Sequence, residues 1–314
     1  MSEHREPRIV ADALSAADVA FARDLCERAE RVDGIAPLAE QARFAISSGA
    51  DLHLLSEHGY ANVIAARDGG AAMVEAVVDP EFRGRGEGRA LVDAALSAAE
   101  GVPGSEKPQV WAHGDLPAAT FVAAALGLER ARELLQLRRP VSVEAGAQPL
   151  PEIPERDDIV VRTYAGPADD AEILRVNNDA FSWHPEQGGW TQAEIDERTG
   201  ADWFDPAGVF LAFDSTDPAK LLGFHWTKIH PAVGDEPALG EVYIVGVDSA
   251  AQGRGLGSLL TLAGLHYMAA LTDDDGPLLK EVELYVEGDN AAALHTYERL
   301  GFTRYTADIA YRRA

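Results

Sequence analysis

Glu241-Val-Tyr-Ile-Val-Gly-Val-Asp248, then Gln252-Gly-Arg-Gly-Leu-Gly257, then Asn290-Ala-Ala-Ala-Leu-His-Thr-Tyr297-Glu-Arg-Leu-Gly-Phe302, is the stretch that decides the fold of this 314-residue chain. The β-branched run 241–248 reads as a strand. The glycine-rich turn after it opens into an apolar-periodic helix. Such a turn aims several backbone N–H groups at one spot, where the helix dipole favours an anion. The segment from Asn290 reads as a second helix, started by an asparagine and closed by Gly-Phe.

The same order occurs earlier. Ala72-Met-Val-Glu-Ala-Val-Val-Asp79-Pro-Glu-Phe-Arg83-Gly-Arg-Gly86-Glu-Gly88 matches 241–257 without gaps, and 110–139 matches 284–313. The repeat has the length of a domain rather than of a solenoid unit, so the chain is an internal duplication. The order of strands and helices within each copy predicts an α/β fold of α+β type, with a mixed, mostly antiparallel sheet flanked by helices. The expected division is an N-terminal domain over 1–140, a Pro- and Glu-rich semi-rigid linker over 141–157, and a C-terminal domain over 158–314.

Bulk properties narrow the function. The length fits two domains with separate cores. No apolar stretch approaches the ~20 residues of a membrane span. The charged start of the chain lacks a signal-peptide core, and the single Cys26 fits a reducing compartment, so a cytoplasmic monomer is expected. A net charge of −25 argues against nucleic acid or an anionic membrane as partner. His184 and His225 lack a third ligand at a suitable spacing, so no metal is expected.

Patterning predicts a helix over 18–31 and a turn-rich loop over 32–40. Strands near 51–55, 60–67 and 72–78 follow, then a helix from Gly88 to Glu100. A strand, a helix and a hairpin fill 109–139. In the second copy, helices are expected at 167–181, 191–199, 254–271 and 290–300. Strands are expected at 209–214, 221–228, 241–247 and 282–287, with a solvated loop at 273–277.

The strand, the Gln-x-x-Gly-x-Gly turn and the Asn…Tyr helix together resemble the acetyl-CoA site of the GNAT acetyltransferases. The resemblance implies that the turn grips a pyrophosphate and that the preceding strand pairs with the pantetheine arm. Val32–Gln41, Arg175–Asn178, His184–Trp190 and Phe224–Lys228 resemble a tandem branch of that family, over essentially the full length. This implies acetyl transfer from acetyl-CoA, as acetyl-donor co-substrate, to the cysteinyl amine of cysteinyl-glucosaminyl-inositol. By motif match, Glu40, Glu186, Lys228, Glu241 and Tyr285 would touch this small-molecule acceptor. Val245, Gly246, Val247, Gln252, Gly253, Arg254, Gly255, Leu256, Gly257, Ser258, Asn290, Ala291, Ala292, Ala293, Leu294 and His295 would hold acetyl-CoA. In the first copy, Ala76, Val77, Val78, Gly84, Arg85, Gly86, Glu87, Gly88 and Arg89 would form a second CoA site.

The copies differ in chemistry. Glu241, Asn290 and Tyr297 face Ala72, Leu116 and Ala123. The first copy is therefore either a non-catalytic CoA site or a lobe that completes the acceptor cleft through Glu40. In the second, Glu241 is the candidate base, acting through water, and Tyr297 the candidate acid for the leaving thiolate. Two other readings stay open: another amine acceptor, such as a protein N-terminus or an aminoglycoside, and a non-enzymatic acyl-CoA sensor.

Overall fold

The computed structural model describes residues 6–48, 52–65, 71–102, 107–142, 146, 148–182, 187–234, 237–274 and 276–314, without the side chains of Glu40 and Ser48. The chain divides into two compact units, residues 1–134 with 306–314, and residues 135–305.

In the first unit, β1 (Arg8–Val10), α1 (Ala16–Asp33), α2 (Glu40–Ser48), β2 (Leu52–Leu55), β3 (Gly59–Ile64) and β4 (Met73–Val78) lead to α3 (Glu87–Glu100). Then come β5 (Gln109–Ala112), α4 (Pro117–Ala125) and the start of β6 (Glu129–Pro140). Local chemistry sets the ends of α1. Ser15 accepts a hydrogen bond from Asp18 N (3.2 Å), and Gly34 adopts a left-handed φ of 71° while its N–H caps Glu30 O. The helix turns Ala22, Leu25, Cys26 and Ala29 onto Leu38, Ile46, Leu55, Tyr60 and Val77. Burial pushes the Cys26 thiol up to about 12, so it packs as a small hydrophobe.

In the second unit, β7 (Ile159–Thr163), α5 (Asp170–Ala180), α6 (Gln192–Thr199), β8 (Val209–Asp214), β9 (Asp217–His230) and β10 (Leu239–Val247) precede α7 (Leu256–Ala269). The two-residue β11 (Thr272–Asp273) and β12 (Gly276–Pro277), then β13 (Glu281–Glu287), α8 (Ala291–Arg299) and β14 (Thr303–Arg312) close the chain. A Thr191–Glu194 capping box starts α6. α7 is apolar on nearly every side, and it buries Leu256, Leu259, Leu260, Leu262, Leu265 and Met268. Each such leucine stabilises the fold by about 1.5–3 kcal/mol. A second cluster joins Ile173 and Val176 of α5 to Leu211, Phe224, Trp226 and Ile244 of the strands.

Strand order is β1-β2-β3-β4-β5-β14 in the first unit and β6-β13-β10-β9-β8-β7 in the second. The recorded pairs are antiparallel except β4 with β5 and β10 with β13. Both units thus have the mixed, mostly antiparallel sheet that the sequence predicts.

Three local expectations change. Residues 129–140 form one strand, not a hairpin. The helix expected from Arg254 begins at Leu256, because Gly255 takes a left-handed φ of 76°. The 273–277 loop carries the small β11–β12 ladder. The unit boundaries also differ from the expected linker. Residues 306–314 belong to the first unit, where 309–312 of β14 pair with β5, whereas residues 135–140 of β6 belong to the second unit. Residues 148–156 have no helix or strand but are tied to the second unit, by Arg139 to Gln148 O (3.2 Å) and His266 to Pro151 O (2.8 Å).

Candidate active site

β10 has a break in its own pairing. Against β9 its register holds from Leu239 to Val242, then slips by one residue before Ile244. Tyr243 is the extra residue of this β-bulge, a device that bends a strand and re-aims its side chains. On its other edge, β10 pairs in parallel with β13 only at Gly240↔Val282 and Glu241↔Glu283 among the described residues. Glu241 therefore stands where the two parallel strands part.

Three groups surround this carboxylate. Lys228 lies directly opposite on β9 and Glu283 directly opposite on β13. His230 Nε2 is 2.7 Å from Glu241 Oε2. Glu283 is buried and accepts hydrogen bonds from Gln136 (2.6 Å) and Arg138 (3.1 Å). Burial raises its pKa, Arg138 opposes that rise, and the Glu241 charge adds to it. Gln136 also donates to the Tyr285 hydroxyl (3.0 Å), which fixes a ring left 47% exposed. The Lys228 ammonium sits 4.9 Å above the Trp203 ring and 5.4 Å from that of Tyr243. This holds a cation beside the carboxylates with no ion pair of its own among the described residues. Sequence reading singled out Glu241, Lys228 and Tyr285. It missed His230, Glu283, Gln136, Arg138 and Trp203. Glu283 and His230 had a signal, since each is two residues from a nominated strand residue and so shares its face.

The candidate anion site follows the strand. Asp248 caps the turn at Ser249–Ala251 through Ala250 N (2.9 Å). Gly253 and Gly255 both adopt φ near +76° to +77°, which L side chains rarely tolerate. The first helical bond of α7 runs from Leu259 N to Gly255 O. The N–H groups of Leu256, Gly257 and Ser258 therefore have no acceptor within the helix. A Cβ added at Gly257 would meet nothing within 4 Å. Open space beside orphan donors at a helix N-terminus fits a phosphate-bearing ligand. Arg254 is held at the loop by Asp158 (2.8 Å), which also binds Arg156 (2.7 Å), and the Arg156 and Arg254 side chains depress the Asp158 pKa. Val245 and Val247 are half-buried, while Gly246 faces Phe224 so closely that a Cβ would lie 2.6 Å from the ring.

On α8, Asn290 Oδ1 accepts from Ala293 N (3.1 Å), so Asn290 is the N-cap of the helix. Ala291, Ala292 and His295 are exposed, and Ala293 and Leu294 are half-buried. Burial pushes the Tyr297 hydroxyl up to about 12, and its ring meets Phe302 edge-on. Glu186 lies outside the described residues, and Glu40 starts α2 with its side chain undescribed.

The first unit keeps the loop and changes the chemistry. A cavity of about 470 Å³ is lined by Ala76, Val77, Val78, Gly84, Gly86, Gly88 and Arg89. Arg85 instead lies over Phe82, and Glu87 turns to the β2–β3 turn, where Ser56 Oγ (2.6 Å) and His58 N (2.9 Å) donate to it. β4 runs without a bulge, and its parallel pairing with β5 ends at Val74↔Val110. Beyond that point His113 bridges buried Glu75 of β4 (3.3 Å) and Asp308 of β14 (2.9 Å). Burial of the imidazole disfavours its charge, but the two carboxylates outweigh this and lift its pKa to about 9. Where the second unit has Glu241, the first has buried Ala72.

Among the described residues, no group of three or more His, Cys, Asp or Glu side chains could hold a metal. Nor is any described helix long and apolar enough to cross a membrane.

Known proteins bear the same marks. The acetyltransferase (GNAT) family profile matches residues 173–302. The mycothiol acetyltransferase of Gordonia bronchialis is 58% identical, covering 97% of this chain and 94% of its own. That of Rhodococcus erythropolis is 55% identical, covering 96% and 98%. Two solved structures share the fold. One is a GCN5-related N-acetyltransferase from Sphaerobacter thermophilus, with 21% identity, 97% and 95% coverage and a TM-score of 0.68. The other is a tandem GNAT protein from the clavulanic acid biosynthesis pathway, with 19% identity, 98% coverage of both chains and a TM-score of 0.64. With full-length identity above one half to enzymes of one name, this chain belongs to the mycothiol acetyltransferases of the GNAT family.

Proposed function

We propose that this enzyme moves the acetyl group of acetyl-CoA to the cysteinyl amine of cysteinyl-glucosaminyl-inositol, giving mycothiol and CoA, and that the second unit performs the chemistry. The observation that carries the reading is Glu241, held where β10 and β13 part and set among Lys228, His230 and Glu283. The acceptor is a polyol bearing an amine, which suits carboxylates, an ammonium and a tyrosine hydroxyl better than an apolar pocket. The residues proposed to touch it are Glu40, Glu186, Lys228, Glu241 and Tyr285.

The orphan N–H groups at the start of α7 and the open space at Gly257 hold the diphosphate of the donor; Val245–Val247 and the start of α8 flank its arm. The neutral amine attacks the thioester carbonyl, the N–C bond forms, and the C–S bond breaks. Deprotonating an α-amino group of pKa ~7.7–8.0 at pH 7 costs only about 1 kcal/mol. Alignment of amine and thioester contributes roughly 7–11 kcal/mol, so positioning outweighs the base. Glu241 takes the amine's proton. Tyr297, near 12, is a weak acid beside a thiol of pKa about 8.5, so full transfer to the thiolate is uphill by roughly 5 kcal/mol. Its part is to hydrogen-bond the developing thiolate. The first unit's cavity holds a second CoA and turns nothing over, since it lacks the base.

The test is CoA release from acetyl-CoA with purified cysteinyl-glucosaminyl-inositol, against a panel of other amines. The acceptor should exceed every other amine in kcat/KM by at least about a hundredfold, as expected where hydrogen-bonding groups must all be matched. Equal turnover of an aminoglycoside or a peptide N-terminus would overturn the assignment.

A further inference from the structure

We infer that His230 is the outlet for the reaction's proton, a relay from Glu241 to water; this rests on Glu241 being the base. The overall reaction turns an ammonium and a thioester into an amide and a thiol, which leaves one proton to be released. Glu241 receives it in a poor place to discharge it. Its side chain is 12% exposed, enclosed by β9 and β13. Lys228, opposite on β9, cannot accept a proton while charged. Glu283, opposite on β13, is already occupied by Gln136 and Arg138. His230 differs on both counts. Its Nε2 lies 2.7 Å from Glu241 Oε2, and its side chain is 38% exposed. An imidazole with its proton on Nδ1 accepts at Nε2 and donates from Nδ1.

The steps balance. The ammonium gives one proton to the Glu241 carboxylate and becomes the neutral nucleophile. The proton on Oε2 passes to His230 Nε2, the Nδ1 proton leaves to water, and exchange with water then moves the remaining ring proton from Nε2 back to Nδ1, which restores both Glu241 and His230. After attack, the second amine proton ends on the CoA sulfur. The charged groups that face the Glu241–His230 pair are Lys228 on β9 and Glu283 on β13, with Arg138 of β6 bound to Glu283.

The test compares His230→Ala, His230→Gln and Glu241→Gln in steady-state turnover, with and without imidazole in the buffer. His230→Ala should lower kcat by roughly tenfold, with the acceptor KM within about twofold, and imidazole should restore most of the loss. His230→Gln can still donate a hydrogen bond to Glu241 but cannot relay, so it should be as slow as His230→Ala. The double variant His230→Ala/Glu241→Gln should be no slower than Glu241→Gln alone. A His230→Gln enzyme at the parent rate would show that the hydrogen bond, not the relay, matters. A His230→Ala enzyme at the parent rate beside a slow Glu241→Gln would remove the relay and leave the base standing. A Glu241→Gln enzyme at the parent rate would remove both.

Discussion

Replacing His113 by glutamine should expose a pH-dependent part of the protein's stability. The imidazole lies between buried Glu75 and Asp308, with its side chain only 13% exposed. Its pKa rises from 6.5 to about 9 in the fold. The folded state therefore favours the charged form. The stabilisation is fully present below the unfolded pKa of about 6.5 and is lost as pH rises through 9. A rise of that size is worth about 3 kcal/mol. In a protein of this length this amounts to roughly 5 °C in Tm. Calorimetry of parent and His113→Gln from pH 6 to 10 reads it directly. The two should differ most at pH 6 and converge towards pH 10. A Tm gap that stays constant across the range would show that His113 is held by packing alone, and that the ion bridge between β4 and β14 contributes nothing.

Other perturbations separate roles in the same way. Glu241→Gln should lower kcat/KM at pH 7, with the deficit shrinking as pH passes the amine's pKa of ~7.7–8.0; a deficit flat with pH would assign Glu241 to positioning. Tyr297→Phe should lower kcat by less than about tenfold, because a phenol near 12 hydrogen-bonds the thiolate rather than protonating it; a loss of a thousandfold in stopped-flow turnover would contradict this. Gly264→Ala should destabilise the second unit by roughly 1–3 kcal/mol or more in urea unfolding, because the new Cβ would lie 2.1 Å from His225 Cε1; unchanged stability would mean that α7 and β9 have slack.

Much of this was legible in the sequence, for reasons that differ by residue. The β10–turn–α7 stretch was readable because period-two patterning, positive-φ glycines and an apolar helix all act within a few residues of each other. The duplication was readable because backbone constraints at Gly84, Gly86, Gly253 and Gly255 are set locally. Pairing across long sequence separations was not. The exchange of β6 and β14 at the unit boundaries depends on which edge each strand meets, which no local pattern records. The same holds for the site. Gln136 meets Glu283, and His113 meets Asp308, only because the sheet register brings them together. Asn290 has a local role of its own, since the residue read as a ligand for the donor is also the N-cap of its helix.

The central claim, that one of two near-identical loops does the chemistry, is tested most directly by the turnover of two matched variants, Gly257→Asp and Gly88→Asp. The positions are equivalent in the repeat, neither has a positive φ, and an added Cβ has room at both, with neighbours no nearer than 3.6 Å at Gly88. An aspartate in the first turn of a helix favours the helix by about 0.3–1 kcal/mol, so both variants should fold. Each places a negative charge where a diphosphate would sit. The account predicts that Gly257→Asp abolishes acetyl transfer and that Gly88→Asp leaves kcat within about twofold of the parent. Equal loss from both would show that the first unit turns over as well, and retained turnover in Gly257→Asp would show that the second unit's loop does not hold the donor.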